Sequence, residues 1–441
     1  MILNRVLKAG AFSVVLAALI IATVNISVAD DTTDMSRFVS LQSSGFHTLA
    51  IGEDGSLWAW GSNGDGACGV YSVDERVPEP VRVEGLSNVT QVACYFTDSM
   101  ALLGDGTVWM WGGSSSNFKN DSTELYVPVQ VPGLTGVKQI ACGQWCSLAL
   151  KDDGTVWAWG NNEYGHMGDG TKASRIYYTT PVQVPGLSGI KMIACNAATM
   201  FVVDNNGTVW AWGKSHPAMV SWNGLGNKLY TTVPVQVIKQ PGIVAITAND
   251  VQLCIVTENG KVWKKDYASN KTPTPDEIKG LRDIATINSG YHMVALEKDG
   301  SVYTWGKNDH GQIGDGTITY RTAPYKVNVP PVKAVFSGQF QTFAIGENGD
   351  LWGWGGDEVN QLGDGGGTDK TLPVKISFNK SGGSAPEASL PTPIKLPQSP
   401  TNVTGDQSKV ISPGFDFGII ALLGCLFIVT GLITSICRRK D

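Results

Sequence analysis

One phrase recurs along this chain at intervals too regular for chance. It reads GSLWAWG at Gly55, GTVWMWG at Gly106, GTVWAWG at Gly154 and again at Gly207, GKVWKKD at Gly260, GSVYTWG at Gly300 and GDLWGWG at Gly349. The glycine-to-glycine intervals are 51, 48, 53, 53, 40 and 49 residues, and the phrase holds twelve of the 14 tryptophans, all but Trp145 and Trp222. A repeat of this length is one supersecondary unit that buries its apolar face only against its neighbours.

Each phrase glycine follows Asp or Asn, from Asp54-Gly55 to Asn348-Gly349, and each is preceded by an apolar run such as Leu49-Ala50-Ile51 or Phe343-Ala344-Ile345. Asp-Gly and Asn-Gly predict a type I′ turn joining two antiparallel strands. Residues i and i+2 of a strand share a face, so Trp58 with Trp60, or Trp157 with Trp159, forms a double indole that needs a neighbouring sheet to cover it. A further strand is read in VPVQVPGL at Val127, TPVQVPGL at Thr180, VPVQVIKQPG at Val233 and LPVKI at Leu372, with proline at its start. Four strands in about 48 residues, repeated over roughly 39–378, predict an all-β, seven-bladed β-propeller. The unit at Gly260 has Lys265 at the second aromatic position and the shortest interval to the next unit, which predicts a thin or irregular blade.

The stretch QIACGQWCSLALKDDGTVWAWGNNEYGHMGDG, from Gln139 to Gly170, resembles the regulator of chromosome condensation (alpha-tubulin suppressor-like) repeat, with its A-C-G-x-x-(H)-x-x-A-L, D-G-x-V-x-x-W-G-x-N and G-x-x-G-x-G segments. The resemblance covers about 340 residues and implies the propeller fold. Founding members of that family act on a small nuclear GTPase and bind chromatin; others are secreted or membrane-tethered and bind proteins. Fold alone does not transfer function.

The ends of the chain have a different composition. Arg5 and Lys8 precede an uncharged apolar run from Ala9 to Val24, and Ser27-Val28-Ala29 offers a signal-peptidase site after Ala29, so residues 1–29 read as a signal peptide and 30–378 as the exported propeller. Residues 379–412, rich in Pro, Ser and Thr, read as a solvated stalk. Residues 413–441 hold Pro413-Gly414-Phe415, an uncharged run from Phe417 to Ile436 and the basic Arg438-Arg439-Lys440. That is enough apolar chain for a membrane-spanning helix with its basic end inside. The tail resembles an archaeal PGF-type sorting signal recognised by archaeosortases. Two fates stay open, a retained helix and a cut tail replaced by a lipid anchor; both place the propeller at the cell surface.

Without these ends the chain carries 28 Lys and Arg against 37 Asp and Glu, the wrong sign for a nucleic-acid surface. Six cysteines lie in this part (Cys68, Cys94, Cys142, Cys146, Cys195, Cys254), with no CxxC pair and no zinc-like spacing to histidine. No nucleotide, hydrolase or metal motif is found, so no cofactor is expected. Eight residues before each phrase glycine stand His47, Asp98, Cys146, Thr199, Gln252, His292 and Gln341, a polar ring; twelve before stand Ser43, Cys94, Cys142, Cys195, Ala248, Asn288 and Ser337, a compact one. Bonds between neighbouring blades account for the first ring better than catalysis does. The GDG triplets at Gly168, Gly314 and Gly363 could offer calcium Asp169, Asp315 and Asp364, but without a D-x-D-x-D-G series they read as turns. His166, His216 and His310 read as surface residues. Tyr164, Tyr177, Tyr178, Trp222 and Tyr230, in two long inserts, are the candidate contacts for an extracellular or envelope protein or a glycan, on a monomeric propeller.

Overall fold

The structure, a computed structural model, describes residues 37–71, 75–113, 126–144, 146–172, 177–214, 230–249, 252–266 and 274–377. The signal peptide with Ala29, Trp222, the stalk and the tail with Pro413, Gly414 and Phe415 lie outside the described residues.

Seven four-stranded antiparallel sheets are present, each built from four consecutive strands. Blade 1 consists of Phe38–Ser43, His47–Gly52, Leu57–Ser62 and Arg76–Arg82. Blades 2 to 7 span 89–130, 137–183, 190–239, 243–277, 284–326 and 332–375. The first strands of neighbouring blades pack against one another all the way round, and that of blade 7 meets that of blade 1. They therefore surround the axis, and the fourth strands form the rim. Consecutive antiparallel strands also sort the connections. The first-to-second turns and the third-to-fourth loops share one face, while the glycine turns lie on the other.

Those glycine turns differ from expectation. All seven glycines have φ between 72° and 87°, but among the described residues the Asp or Asn before each stays at negative φ. In blade 1, Gly55 N–H donates to Gly52 O at 3.0 Å and Asp54 Oδ1 accepts the N–H of Ser56 at 2.9 Å. This is a type I turn closed by a glycine bulge, because the Asp carboxylate caps the N–H two residues on and holds its own residue in the right-handed region.

The two aromatics of each phrase have separate roles. The first indole is tied to its own hairpin: Trp58 Nε1 donates to Ser56 Oγ at 2.8 Å, Trp109 to Thr107 at 3.2 Å and Trp157 to Thr155 at 3.1 Å. The second is fully buried and reaches the preceding blade. Trp111 Nε1 donates to Ala67 O at 3.0 Å, Trp212 to His166 O at 2.8 Å, Trp354 to Gln312 O at 3.0 Å, and Trp60 to Gln361 O at 2.9 Å across the junction of blades 7 and 1. Each acceptor lies in a glycine-rich loop two residues before a glycine at positive φ, on which the indole rests. A Cβ at Gly69, Gly168, Gly314 or Gly363 would stand 2.7–2.9 Å from the Nε1 of Trp111, Trp212, Trp354 or Trp60. The GDG triplets are thus indole seats, and Asp169 and Asp315 cap the Thr171 and Thr317 N–H groups beside them.

Two sequence expectations about the rim meet different outcomes. The fourth strand of the blade carrying Lys265 is Asp276–Glu277 alone, as thin as expected, and Lys265 is 3% exposed in the indole's place. The prolines, however, sit inside most fourth strands. In blade 3 the register jumps from Ala158↔Val182 to Gly160↔Tyr178, with Pro181 in the bulge between; Pro234 and Pro373 lie at the matching shifts of blades 4 and 7. A rim strand has a free edge, so a missing N–H at a bulge breaks no ladder bond.

The seams between blades are the core. At the closing seam Phe343, Ile345, Leu351, Leu362 and Ile376 of blade 7 join Phe38, Leu49, Leu57 and Trp60 of blade 1 in one buried cluster. The rings of Trp60 and Phe343 meet near-perpendicular at 6.3 Å. Gly363→Ala is expected to cost roughly 2–4 kcal/mol, from positive-φ strain plus the clash with Trp60. Gly133→Ala, with φ 74° and no atom within 4 Å of the added Cβ, carries only the strain of about 1 kcal/mol. Urea midpoints of the two variants check the difference.

Candidate interaction face

The polar ring of the sequence begins the second strand of every blade, and His47, Cys146, His292 and Gln341 bond across the seams. His47 Nε2 lies 2.8 Å from Ser99 Oγ of blade 2, which donates to Ala67 O at 2.7 Å. His292 Nε2 lies 2.6 Å from Thr342 Oγ1 of blade 7, which donates to Gln312 O at 2.8 Å. Gln341 Nε2 donates to Ser44 O at 2.8 Å, and Thr48 Oγ1 donates to Gln361 O at 2.8 Å. The carbonyls of Ala67, Gln312 and Gln361 therefore each accept both a hydroxyl and an indole. His47 and His292 stand in blades 1 and 6 with blade 7 between them, each engaged in its own seam. Burial lowers the histidine pKa to about 4 for His47, opposed in part by the Phe96 carbonyl, and to about 3 for His292.

His166 is a correction: it is fully buried, with Nδ1 2.8 Å from Asn161 O, and its carbonyl is the acceptor for Trp212. It stands in register with Ala67, Gln312 and Gln361, so seating the next blade's indole draws it inward. His310 does lie near the surface, with Nδ1 2.8 Å from Asp369 Oδ2; Glu358 stands close enough that one ligand atom from each of the three lies within 4.8 Å of the others. His216 lies outside the described residues.

The compact ring ends the first strands and opens onto an axial cavity of about 100 Å³ lined by all seven blades. Cys94, Cys142 and Cys195 hold one arc of its wall and Ser43, Ala248 and Ser337 the rest, with Ser289 in place of its neighbour Asn288. None of the six described cysteines is in a disulfide, and burial pushes the thiols of Cys68, Cys94, Cys142, Cys195 and Cys254 up. Two polar atoms in this wall, Ser337 Oγ and Gln339 Nε2, are buried without a partner.

Around the mouth of the cavity runs an arc of half-buried aromatics that the sequence reading did not single out. Tyr291 and Phe340 lie 5.3 Å apart, Phe340 and Phe46 6.3 Å, Phe46 and Phe96 5.8 Å, Phe96 and Tyr95 5.2 Å. Phe96 holds φ 48°, a rare conformation for an aromatic residue, and its carbonyl accepts from Ser44 Oγ at 3.1 Å and stands 3.0 Å from His47 Nδ1.

The third-to-fourth loops open on the same face. At the seam of blades 3 and 4, Tyr164 lies under Lys214 and Tyr230 under Lys172, at 4.9 and 4.6 Å from the ring centres. Tyr177 is 42% exposed, whereas Tyr178 packs on the core against the cluster around Met167 and Trp212. Of the eight exposed large apolar residues among those described, Tyr71, Tyr177, Val233, Ile318, Tyr320 and Leu372 lie in these loops or the first half of a fourth strand, and Val39 and Val244 do not. The most open are Ile318 and Tyr320, 65% and 62% exposed. They sit just beyond the Gly314 seat, a place that could have been marked by asking which loop residues the seat leaves free.

Residues 38–67, 137–165 and 283–312 match one form of the Regulator of chromosome condensation (RCC1) repeat, and residues 54–94, 153–203 and 299–345 match a second. Over those stretches the chain is similar to the regulator of chromosome condensation repeat. It is 28% identical over 319 residues to the ultraviolet-B receptor UVR8 of Arabidopsis thaliana, covering 68% of this chain and 60% of that protein. It is 26% identical over 306 residues to the E3 ubiquitin-protein ligase HERC2 of Homo sapiens, covering 65% of this chain but 5% of the relative. The solved structure of human WBSCR16 aligns with a TM-score of 0.64 at 20% identity, over 73% of this chain and 94% of that one. At that identity the likeness shows the propeller fold alone.

The seam histidines set a pH dependence. In the unfolded chain they take up protons near pH 6.5, in the folded one near 4 and 3. The stability they hold is complete above about pH 6.5 and is lost as pH falls below it, on the order of 3 kcal/mol each by pH 4. His292→Gln, which copies the residue that blade 7 carries as Gln341, is expected to flatten the fall of the urea midpoint between pH 7 and 4.

Proposed function

We propose that this chain is an exported, surface-held propeller that binds an extracellular or envelope protein, or a glycan, through its loop face and without turnover. The observation that carries the reading is the one-sided distribution of exposed apolar side chains. Among the described residues six of eight lie toward the rim of the face that also holds the aromatic mouth, and such residues ringed by polar groups are what partner surfaces use. The acidic balance of the chain argues for a partner other than nucleic acid. His47 and His292, which resemble catalytic groups, are engaged in seam bonds.

Crosslinking on intact cells, followed by mass spectrometry of peptides joined to the full chain, tests the reading. Ile318→Ser with Tyr320→Ala is expected to reduce recovered partner crosslinks roughly tenfold, the effect of losing about 1.4 kcal/mol of binding. Val39→Ser with Val244→Ser, on the other face, should leave them unchanged. Equal recovery from both pairs would instead favour a structural envelope component with no private ligand.

Surface attachment has its own measurement. External protease should release the propeller from intact cells, and the mass of the mature C-terminus separates a retained helix ending at Asp441 from a tail cut near Pro413 and carrying a lipid. A propeller that resists external protease in intact cells and yields only on lysis would sink the export reading.

A further inference from the structure

The residue three places after the second aromatic holds the glycine-rich loop in the same way in four blades. It is Asn63, Asn162, Asn308 and Asp357 in blades 1, 3, 6 and 7. Its Oδ1 accepts the backbone N–H five residues on, from Cys68 at 3.0 Å, Met167 at 3.1 Å, Ile313 at 2.9 Å and Leu362 at 2.8 Å. In the three asparagines the other arm is a donor aimed at loop oxygens: Asn63 Nδ2 donates to Val70 O at 2.8 Å and Asn162 Nδ2 to Thr171 Oγ1 at 3.0 Å. Around Asn308 Nδ2 four oxygens converge, Thr317 O at 3.0 Å, Thr319 O at 3.1 Å, Thr317 Oγ1 at 3.3 Å and Asp315 Oδ1 at 3.4 Å.

Blade 7 keeps an Asp and a Thr among the acceptors, has Gly366 in place of Thr317, and replaces the donor with an acid. Asp364 and Thr368 stand where blade 6 has Asp315 and Thr319. Asp357 is 0% exposed, and its Oδ2 has no hydrogen-bond donor. That arm faces the Asp364 carboxyl; burial, opposed by the Leu362 N–H and helped by the neighbouring carboxyl, raises Asp357 well above the usual carboxylate range. At the edge of this nest the Lys370 ammonium donates to Thr368 O at 2.7 Å and pairs with Asp364 Oδ2 at 3.0 Å. Two carboxylates and a backbone carbonyl thus surround a position that in blade 6 holds a hydrogen-bond donor.

We propose that this nest in blade 7 is a calcium site, in which Asp357, Asp364 and the Thr368 carbonyl hold the ion, water completes its shell, and Lys370 swings out. Calcium accepts six to eight oxygens in irregular geometry and is content with mixed carboxylate, carbonyl and water ligands, whereas magnesium demands a tighter octahedron. The same loop supplies Gln361 O, which accepts both Trp60 Nε1 and Thr48 Oγ1 of blade 1. An ion there would tie down the carbonyl that closes the ring.

The test uses the full chain, stripped with a chelator and titrated with CaCl2, and separately with MgCl2, by calorimetry and by urea midpoint. One calcium per chain is expected with a Kd on the order of 10⁻⁴–10⁻³ M, the range of extracellular modules, together with a raised midpoint and weaker uptake of magnesium. Asp357→Asn restores the residue of the sister blades, so it should fold with a calcium-free midpoint no lower than the parent while weakening calcium roughly tenfold or more; Lys370→Met should tighten it. Absence of saturable uptake up to ~10 mM, well above that affinity range, overturns the proposal. So does an Asp357→Asn chain that binds as the parent does, which would move the ion to His310, Glu358 and Asp369 or to another site.

Discussion

A single bond type organises this molecule: the indole N–H of one blade donating to a loop carbonyl of the blade before it. Four such bonds are seen, and the fourth, Trp60 to Gln361, joins residues 301 positions apart in sequence. Each is worth only about 1 kcal/mol net, but a buried indole N–H or carbonyl left without its partner costs about 1–3 kcal/mol. The arrangement also forces glycine beneath the ring, because a side chain there would displace the indole. Since every sheet is made of consecutive strands, no exchanged strand secures the ring among the described residues. Closure falls to this bond, to Gln341 reaching Ser44, and to the apolar cluster around Trp60 and Phe343.

The same carbonyls explain why groups with catalytic potential sit around the axis. A carbonyl oxygen has two lone pairs, and at Ala67, Gln312 and Gln361 one takes the indole while the other takes a Ser or Thr hydroxyl from the next blade. That hydroxyl then meets the polar residue that opens the second strand of the blade before, His47 or His292. A buried histidine held neutral serves this relay better than a charged one would, since charging it would leave an ion in an apolar seam. The polar ring is the far end of the indole seat.

Much of this was legible in the residues. Seven hairpins follow from Asp-Gly and Asn-Gly before spaced aromatics, and seven sheets follow from indoles that no single sheet can cover. What escaped depends on geometry that a dipeptide does not encode. The turn type was missed because the Asp side chain, by capping the N–H two residues on, decides its own φ. His166 looked like a loop residue because glycine-rich loops usually face water, yet this loop curls inward to deliver a carbonyl. Tyr177 and Tyr178 are adjacent, and only the strand's alternation decides that one is open and the other packed. Asp357 could have been noticed, since the W-G-x-N segment becomes Trp354-Gly355-Gly356-Asp357 in the last unit alone, but its meaning needed the oxygens around Asn308.

The seat also determines where this propeller can vary. On the glycine-turn face every hairpin is closed by a four-residue reversal that leaves no chain to spare. On the opposite face the glycine-rich loops of blades 1, 3, 6 and 7 must first deliver a carbonyl and a bare glycine to the next blade's indole, so their opening halves are committed to the ring. Only the segment after the seat is free of that duty, and there Ile318 and Tyr320 stand in solvent while Tyr177 opens the fourth strand of blade 3. Contact residues can therefore change beyond the seat without cost to closure, whereas a change before it is felt one blade away. Blade 7 is the exception in which chemistry enters the committed half itself: Asp357 lies ahead of Gln361, so whatever cation settles its carboxylate acts directly on the bond that shuts the ring.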